Sequence, residues 1–309
     1  MTTARRWAAR GAVAIAVVGA ALVLVGPALV QSNPRLPLST TPAAFGLAYE
    51  PVAFSPPDVP ITIRGWLLPA PDAKATLVMV HGGGGDNRIL AYAKGLALVR
   101  DLVAHGYAVL ALDLRNYGES DASPEGQPSF GPREANDVLG ALDEIERRAP
   151  GGRYGAIGFS MGGATVLYAA ARDPRLEAIV SDGAYGDSYA VVPSFVRAWM
   201  GIPTWMGTMF LWSAVHLHGM ELGAGHPIDV VGVVAPRRVL IVHDAGDPIV
   251  PVAHAHRLAA ACPSAEIWIT RLAAEPGNPF GTHVKSYALD PEAYVERVTA
   301  FLDDTFAVP

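Results

Sequence analysis

The sequence predicts an α/β chain: a doubly wound, mostly parallel sheet with a helical cap insertion and an N-terminal transmembrane helix. Three observations predict it. Short, nearly continuous apolar runs recur at Thr76 to Val80, Tyr107 to Leu112, Tyr154 to Ile157, Ala178 to Val180 and Arg238 to Val242, and such runs suit parallel strands covered on both faces. Helical stripes fall between or after them: Val138, Leu139, Leu142 and Ile145 precede the stop at Pro150-Gly151-Gly152, and Tyr294, Val298, Phe301 and Leu302 close the chain. Strand and helix alternating in this way build a sheet with right-handed crossovers. The third observation is an uncharged run from Gly11 to Val30 after Arg5, Arg6 and Arg10.

That run of 20 residues spans about 30 Å as a helix, the hydrocarbon thickness of a bilayer. It is longer than the usual apolar core of a signal peptide, and Ala28-Leu29-Val30 is a poor small-residue cleavage site. We read residues 1–30 as an uncleaved single-pass anchor, with a cleaved signal peptide as the competing reading. The arginines precede the span, so the N-terminus stays cytoplasmic and the body lies outside. Residues 31–47 carry Pro34, Pro37 and Pro42 without apolar periodicity and read as a linker holding the body off the membrane. The body, 48–309, opens with the alternation Ile61-Thr62-Ile63-Arg64-Gly65-Trp66-Leu67-Leu68, an antiparallel strand on a sheet edge.

Twenty-three basic and 29 acidic residues leave a formal charge of -6 and no basic stripe, which argues against nucleic acid as a partner. The single cysteine, Cys262, excludes an intrachain disulfide. It follows an Ala-rich helical stretch and reads as a small core residue rather than a nucleophile.

The interval 188–231 breaks the alternation. It lacks strand character and carries Trp199, Met200, Trp205, Met206, Met209, Phe210, Trp212 and Met220. An insertion of that length reads as a helical cap over the carboxyl edge of the sheet. Three readings of its apolar side chains stay open: core of the excursion, a substrate pocket lined by Trp205, Met206 and Met209, or contact with a bilayer.

The chemistry gathers around Gly158-Phe159-Ser160-Met161-Gly162, which lies between an apolar strand and the small-residue run Ala164 to Ala171. A serine hydroxyl is a poor nucleophile near neutral pH. A tight strand-to-helix turn exposes it beside a base, and the flanking glycines permit that turn. His81-Gly82-Gly83-Gly84-Gly85-Asp86-Asn87 also follows an apolar strand. Its glycines can aim backbone N–H groups into a cleft, so the expected oxyanion hole is Met161 N–H with Gly83 N–H, and Gly84 as the alternative to Gly83. The loop lacks the Gly-Lys-Ser/Thr ending and the G-x-G-x-x-G register of phosphate-binding turns.

Ser160 requires a base and an acid to orient it. Of the nine histidines, His283 is distinguished by its loop position after the late strand Glu266 to Arg271, where the sheet edge meets Ser160. His254 and His256 are two residues apart on a helix and face apart, which disfavours a shared metal. The acid follows the serine and precedes the histidine in chain order with such an elbow. Asp247 in His243-Asp244-Ala245-Gly246-Asp247 fits, with Asp244 as its nearest competitor.

Four segments in this order, His81-Gly82-Gly83, Asp113 through Ser120, Gly158 through Gly163, and His243 through Asp247 into Val250-Pro251, resemble the α/β-hydrolase superfamily. The branch they resemble is that of membrane-tethered serine hydrolases related to serine aminopeptidases and monoacylglycerol lipases. The resemblance covers 48–309 and implies the α/β-hydrolase fold, a Ser160-His283-Asp247 triad and a structural, locally paired role for Arg115. Asp244 stands where many relatives have glycine.

The expected function is ester hydrolysis through an acyl-enzyme, on a small-molecule acyl ester and without metal or organic cofactor. A peptidase, a thioesterase and an acyltransferase would use the same triad. The cap is nearly devoid of carboxylates apart from Glu221 and Asp229, which disfavours a substrate amine. A non-enzymatic binding protein on the same fold is the alternative of another class.

Overall fold

A computed structural model describes residues 3–31, 35–222, 225–278 and 280–307. Its centre is an eight-stranded sheet in the order β1-β2-β4-β3-β5-β6-β7-β8, formed by β1 (Glu50–Phe54), β2 (Ile63–Leu68), β3 (Ala75–Val80), β4 (Tyr107–Asp113), β5 (Tyr154–Phe159), β6 (Leu176–Asp182), β7 (Arg238–Asp244) and β8 (Ala265–Thr270). The pairs from β4 onward across the sheet are parallel, whereas β1 and β2 run antiparallel. The alternating segment is therefore β2, one place in from the edge. The edge is β1, too short and too proline-marked to stand out in the sequence.

Ten helices are described: α1 (Thr3–Gln31), α2 (Gly95–Ala104), α3 (Ala135–Arg148), α4 (Met161–Arg172), α5 (Ser188–Met200), α6 (Thr204–His218), α7 (Pro227–Val230), α8 (Ala253–Ala261), α9 (Ser286–Leu289) and α10 (Pro291–Phe306). Two apolar layers sandwich the sheet. One holds Val138, Leu142, Val166 and Leu258 from α3, α4 and α8, the other Leu98, Leu102, Val298 and Phe301 from α2 and α10. Every residue of β4 and of β5 is buried, as the continuous apolar runs require.

Two N-terminal expectations change. Among the described residues no helix is long and apolar enough to cross a membrane, so the span expected over Gly11 to Val30 is not seen. The helix α1 instead lies along α6, with Val23, Gly26 and Pro27 buried in the contact and Gly26 directly against the Phe210 ring. The segment read as a free linker is also docked from residue 35 onward. Arg35 Nη1 donates to the Ser120 carbonyl at 2.6 Å, Asn87 Nδ2 donates to the Leu36 carbonyl at 3.1 Å, and Leu38, Phe45 and Leu47 pack on the second apolar layer.

The interval 188–231, expected as a cap, contains the helices α5, α6 and α7. The inward face of α6 is Phe210, Ser213 and Ala214, joined to Val192, Val196 and Met220 in a third apolar cluster.

Candidate active site

Ser160 stands between β5 and α4 with φ 54° and ψ -115°, a backbone conformation that costs a non-glycine residue free energy unless its surroundings fix it. Here they do. Ser160 N donates to the Asp182 carbonyl at 2.8 Å, and Ser160 O accepts from Ala164 N at 3.1 Å. The glycines are sterically required: a Cβ on Gly158 would lie 2.1 Å from the Gly162 carbonyl oxygen, and one on Gly162 would lie 2.3 Å from that of Val80.

The three residues chosen from sequence form a relay. His283 Nε2 is 2.9 Å from Ser160 Oγ, and His283 Nδ1 is 2.6 Å from Asp247 Oδ2. A carboxylate only accepts, so Nδ1 carries the proton and Nε2 is left to accept from the serine hydroxyl. Asp247 is fixed in turn, because its Oδ1 accepts from Ile249 N at 2.8 Å and from Val250 N at 2.9 Å. His283 and Asp247 are both buried, which strengthens their interaction relative to water.

Asp244 has another role. Its carboxylate accepts from Gly246 N at 2.9 Å, Thr282 Oγ1 at 2.6 Å, Thr270 Oγ1 at 2.9 Å and Leu272 N at 2.8 Å. Burial pushes its pKa up, but these bonds outweigh burial and hold it below the ordinary carboxylate value. Asp244 thereby ties the acid loop to the loop that carries His283.

The two segments expected to supply the oxyanion hole lie side by side. Met161 begins α4, where backbone N–H groups lack intrahelical acceptors and the helix dipole favours negative charge. Gly83 lies beside it, since a Cβ there would be 3.6 Å from Met161 Sδ and 3.7 Å from the Tyr117 hydroxyl. The turn itself falls at Gly84 and Gly85, with φ of 72° and 85°, conformations that glycine adopts freely. Asp86 closes the loop by accepting from Asn87 N at 2.9 Å, and burial pushes its carboxyl up. His81 is not a base: its Nδ1 donates to the Gly82 carbonyl at 2.6 Å, and its Nε2 accepts from Leu114 N at 3.0 Å.

Arg115 is structural, as expected, but its partners are distant in sequence: Asp137 on α3 and Asp58 before β2. Arg88 pairs with Asp113 at 2.8 Å in a buried contact, joining the glycine loop to the end of β4. The expected pocket residues are not brought to the serine. Trp205 is 63% and Met209 49% exposed on the outer side of α6, and Met206 faces α1 near Gly19. Because α6 is apolar all round, its composition does not reveal which face turns inward.

Sequence reasoning missed Asp182, which ends the apolar strand β6 and carries no motif. Its side chain is buried beside the Tyr294 hydroxyl, and burial first, with the charges of Asp247 and Asp244, pushes its pKa up to about 8. A carboxyl raised in the folded state binds a proton that the unfolded chain has released. Its stabilising effect is therefore complete below about pH 4 and is lost as pH rises through about 8. We predict a decline in Tm on the order of a few °C across that window, which Asp182→Asn flattens. Thermal scans at successive pH values test it, and parallel slopes in both proteins would contradict the assignment.

Comparisons with known proteins agree on the architecture. A family model described as the alpha/beta hydrolase fold matches residues 75–226. The Pyrococcus furiosus esterase Pf2001 superposes with a TM-score of 0.72 at 20% identity, covering 89% of this chain and 97% of that one. Est1E from Butyrivibrio proteoclasticus, solved with ferulic acid bound, superposes with a TM-score of 0.59 at 18% identity, over 83% of this chain and 99% of that one. The quorum-quenching protein AidA of Acinetobacter baumannii (strain MDR-ZJ06) is 33% identical over 128 residues, an alignment spanning only 38% of either chain.

Proposed function

This chain has the α/β-hydrolase fold, and on that premise we propose that it is a serine hydrolase cleaving carboxylic esters through an acyl-enzyme. The observation that carries the reading is the unbroken relay from Ser160 Oγ through His283 to Asp247, with contacts of 2.9 and 2.6 Å, on a strained elbow beside the glycine loop. Ser160 Oγ attacks the ester carbonyl carbon while its proton passes to His283 Nε2. The carbonyl π electrons move to oxygen, and Met161 N–H and Gly83 N–H stabilise that oxyanion. Collapse breaks the bond to the leaving alkoxide, which takes the proton from His283. Water then gives a proton to His283 and attacks the acyl-enzyme, and return of the proton to Ser160 releases the acid. Asp247 holds the imidazole in the required tautomer throughout.

The neighbours that are esterases support ester substrates over amides. The test is a panel of soluble esters of graded acyl length beside the matching anilides. Turnover of esters with little or none of anilides is expected, whereas preferential anilide cleavage would favour a peptidase.

Membrane association is part of this proposal. Its support is the uncharged run Gly11 to Val30 directly after Arg5, Arg6 and Arg10.

A further inference from the structure

Among the described residues, 14 large apolar side chains are exposed, and ten of them sit on only two elements, α1 and α6. Trp7, Val17 and Val18 represent the first helix, and Trp205, Trp212 and Leu217 the second, each more than half exposed. The two helices are in contact. Gly26 meets Phe210, Gly19 approaches Met206, and His218 Nε2 donates to the Leu24 carbonyl at 2.6 Å. Residues 19–26 of α1 thus pack on α6, and the exposed apolar side chains are carried by two helices in contact with each other. Monomeric proteins in water rarely expose a contiguous apolar patch of more than a few hundred Å².

The charge pattern identifies the occupant. Neither helix contains an aspartate or glutamate. The basic residues of α1 lie at its N-terminal end, where Arg6 and Arg10 are exposed and the Arg10 guanidinium lies 5.6 Å from the Trp7 ring centroid. Indoles and guanidinium groups bordering an apolar face match the headgroup region of a bilayer, where amphipathic rings settle and cations meet anionic lipid.

We propose that α1 and α6 form one interfacial docking surface that lays the cap against an anionic lipid bilayer. The proposal deepens the membrane part of the reading above and is independent of the chemistry at Ser160. Both helices lie in the interface, with the α1–α6 contact preserved, and the cap is the part of the molecule nearest the lipid. Outward Trp205 and Met209, misplaced as pocket residues, become lipid contacts.

Sedimentation of the full chain with phosphatidylcholine vesicles, with and without phosphatidylglycerol, tests this. The native chain should sediment with the anionic vesicles and be released by alkaline carbonate. Trp212→Ser with Leu217→Ser should weaken partitioning about tenfold or more on both vesicle types. Arg6→Gln with Arg10→Gln should weaken it about tenfold on anionic vesicles alone. Both double variants should turn over a short soluble ester as the native chain does.

A native chain that stays in the supernatant overturns the proposal, as do variants that bind like the native chain. Carbonate resistance also overturns it, since it marks a spanning helix. If the native chain ignores vesicles and forms a dimer that Trp212→Ser with Leu217→Ser dissociates, the surface is a contact between copies. Vesicle binding without any ester turnover would instead overturn the hydrolase reading and leave the docking surface standing.

Discussion

Replacing Ser160 with alanine is expected to lower kcat on a soluble ester by about 10⁴ to 10⁶-fold, with Tm almost unchanged. Among the described residues the hydroxyl has one hydrogen-bond partner, His283 Nε2, and its removal leaves the backbone bonds to Asp182 and Ala164 in place. What disappears is the atom that attacks. The remaining rate should reflect the oxyanion donors and substrate binding, which act without a nucleophile. Labelling by a fluorophosphonate probe gives a second readout, because the probe phosphonylates an activated serine. Native protein should label and Ser160→Ala should not. Equal labelling of the two would place the nucleophile elsewhere, and equal turnover would remove the acyl-enzyme from the mechanism.

The elbow was legible because its chemistry demands an unusual local sequence. Glycines at positions 158 and 162 leave no room for a Cβ, so a steric requirement is written directly into the chain. His283 and Asp247 were legible by position, through chain order and the ends of successive strands. The parts that stayed hidden have physical reasons. Helix α6 has apolar residues on every side, so sequence periodicity could not say that Phe210 turns inward and Trp205 outward. Asp182 ends an apolar strand with no motif to mark it, and its significance comes from burial. The docking of residues 35–47 depends on hydrogen bonds to remote loops, such as Asn87 to the Leu36 carbonyl, and on the scattered apolar contacts of Leu38, Phe45 and Leu47, which leave no local pattern. Arg115 is similar: its charge was evident, but Asp58 and Asp137 become its partners only when the sheet is assembled.

The two carboxylates of the β7 loop give the sharpest separation of chemistry from architecture. Asp247→Asn is expected to lower kcat by about 10⁴-fold with little change in fold. An asparagine carbonyl can still accept from Ile249 N and Val250 N, so the loop keeps its shape. Its amide group, however, would face His283 Nδ1 as a donor. The imidazole must then accept at Nδ1 and carry its proton on Nε2, the nitrogen that should take the proton of Ser160.

Asp244→Asn should do the reverse. One carboxylate oxygen becomes an amide donor facing hydroxyl and N–H groups from Gly246, Thr270, Leu272 and Thr282, at a cost of about 1 to 3 kcal/mol. Because its carboxyl lies below the ordinary value in the fold, Asp244 stabilises the protein above the unfolded-state pKa. That contribution is lost as pH falls through the folded-state value. The variant should therefore melt earlier near neutral pH, lose less stability on acidification and keep most of its kcat while folded. Chemical denaturation at two pH values, with initial rates measured well below the melting range, checks both halves. If folded Asp244→Asn lost as much kcat as Asp247→Asn, the acid of the relay would have to be reassigned.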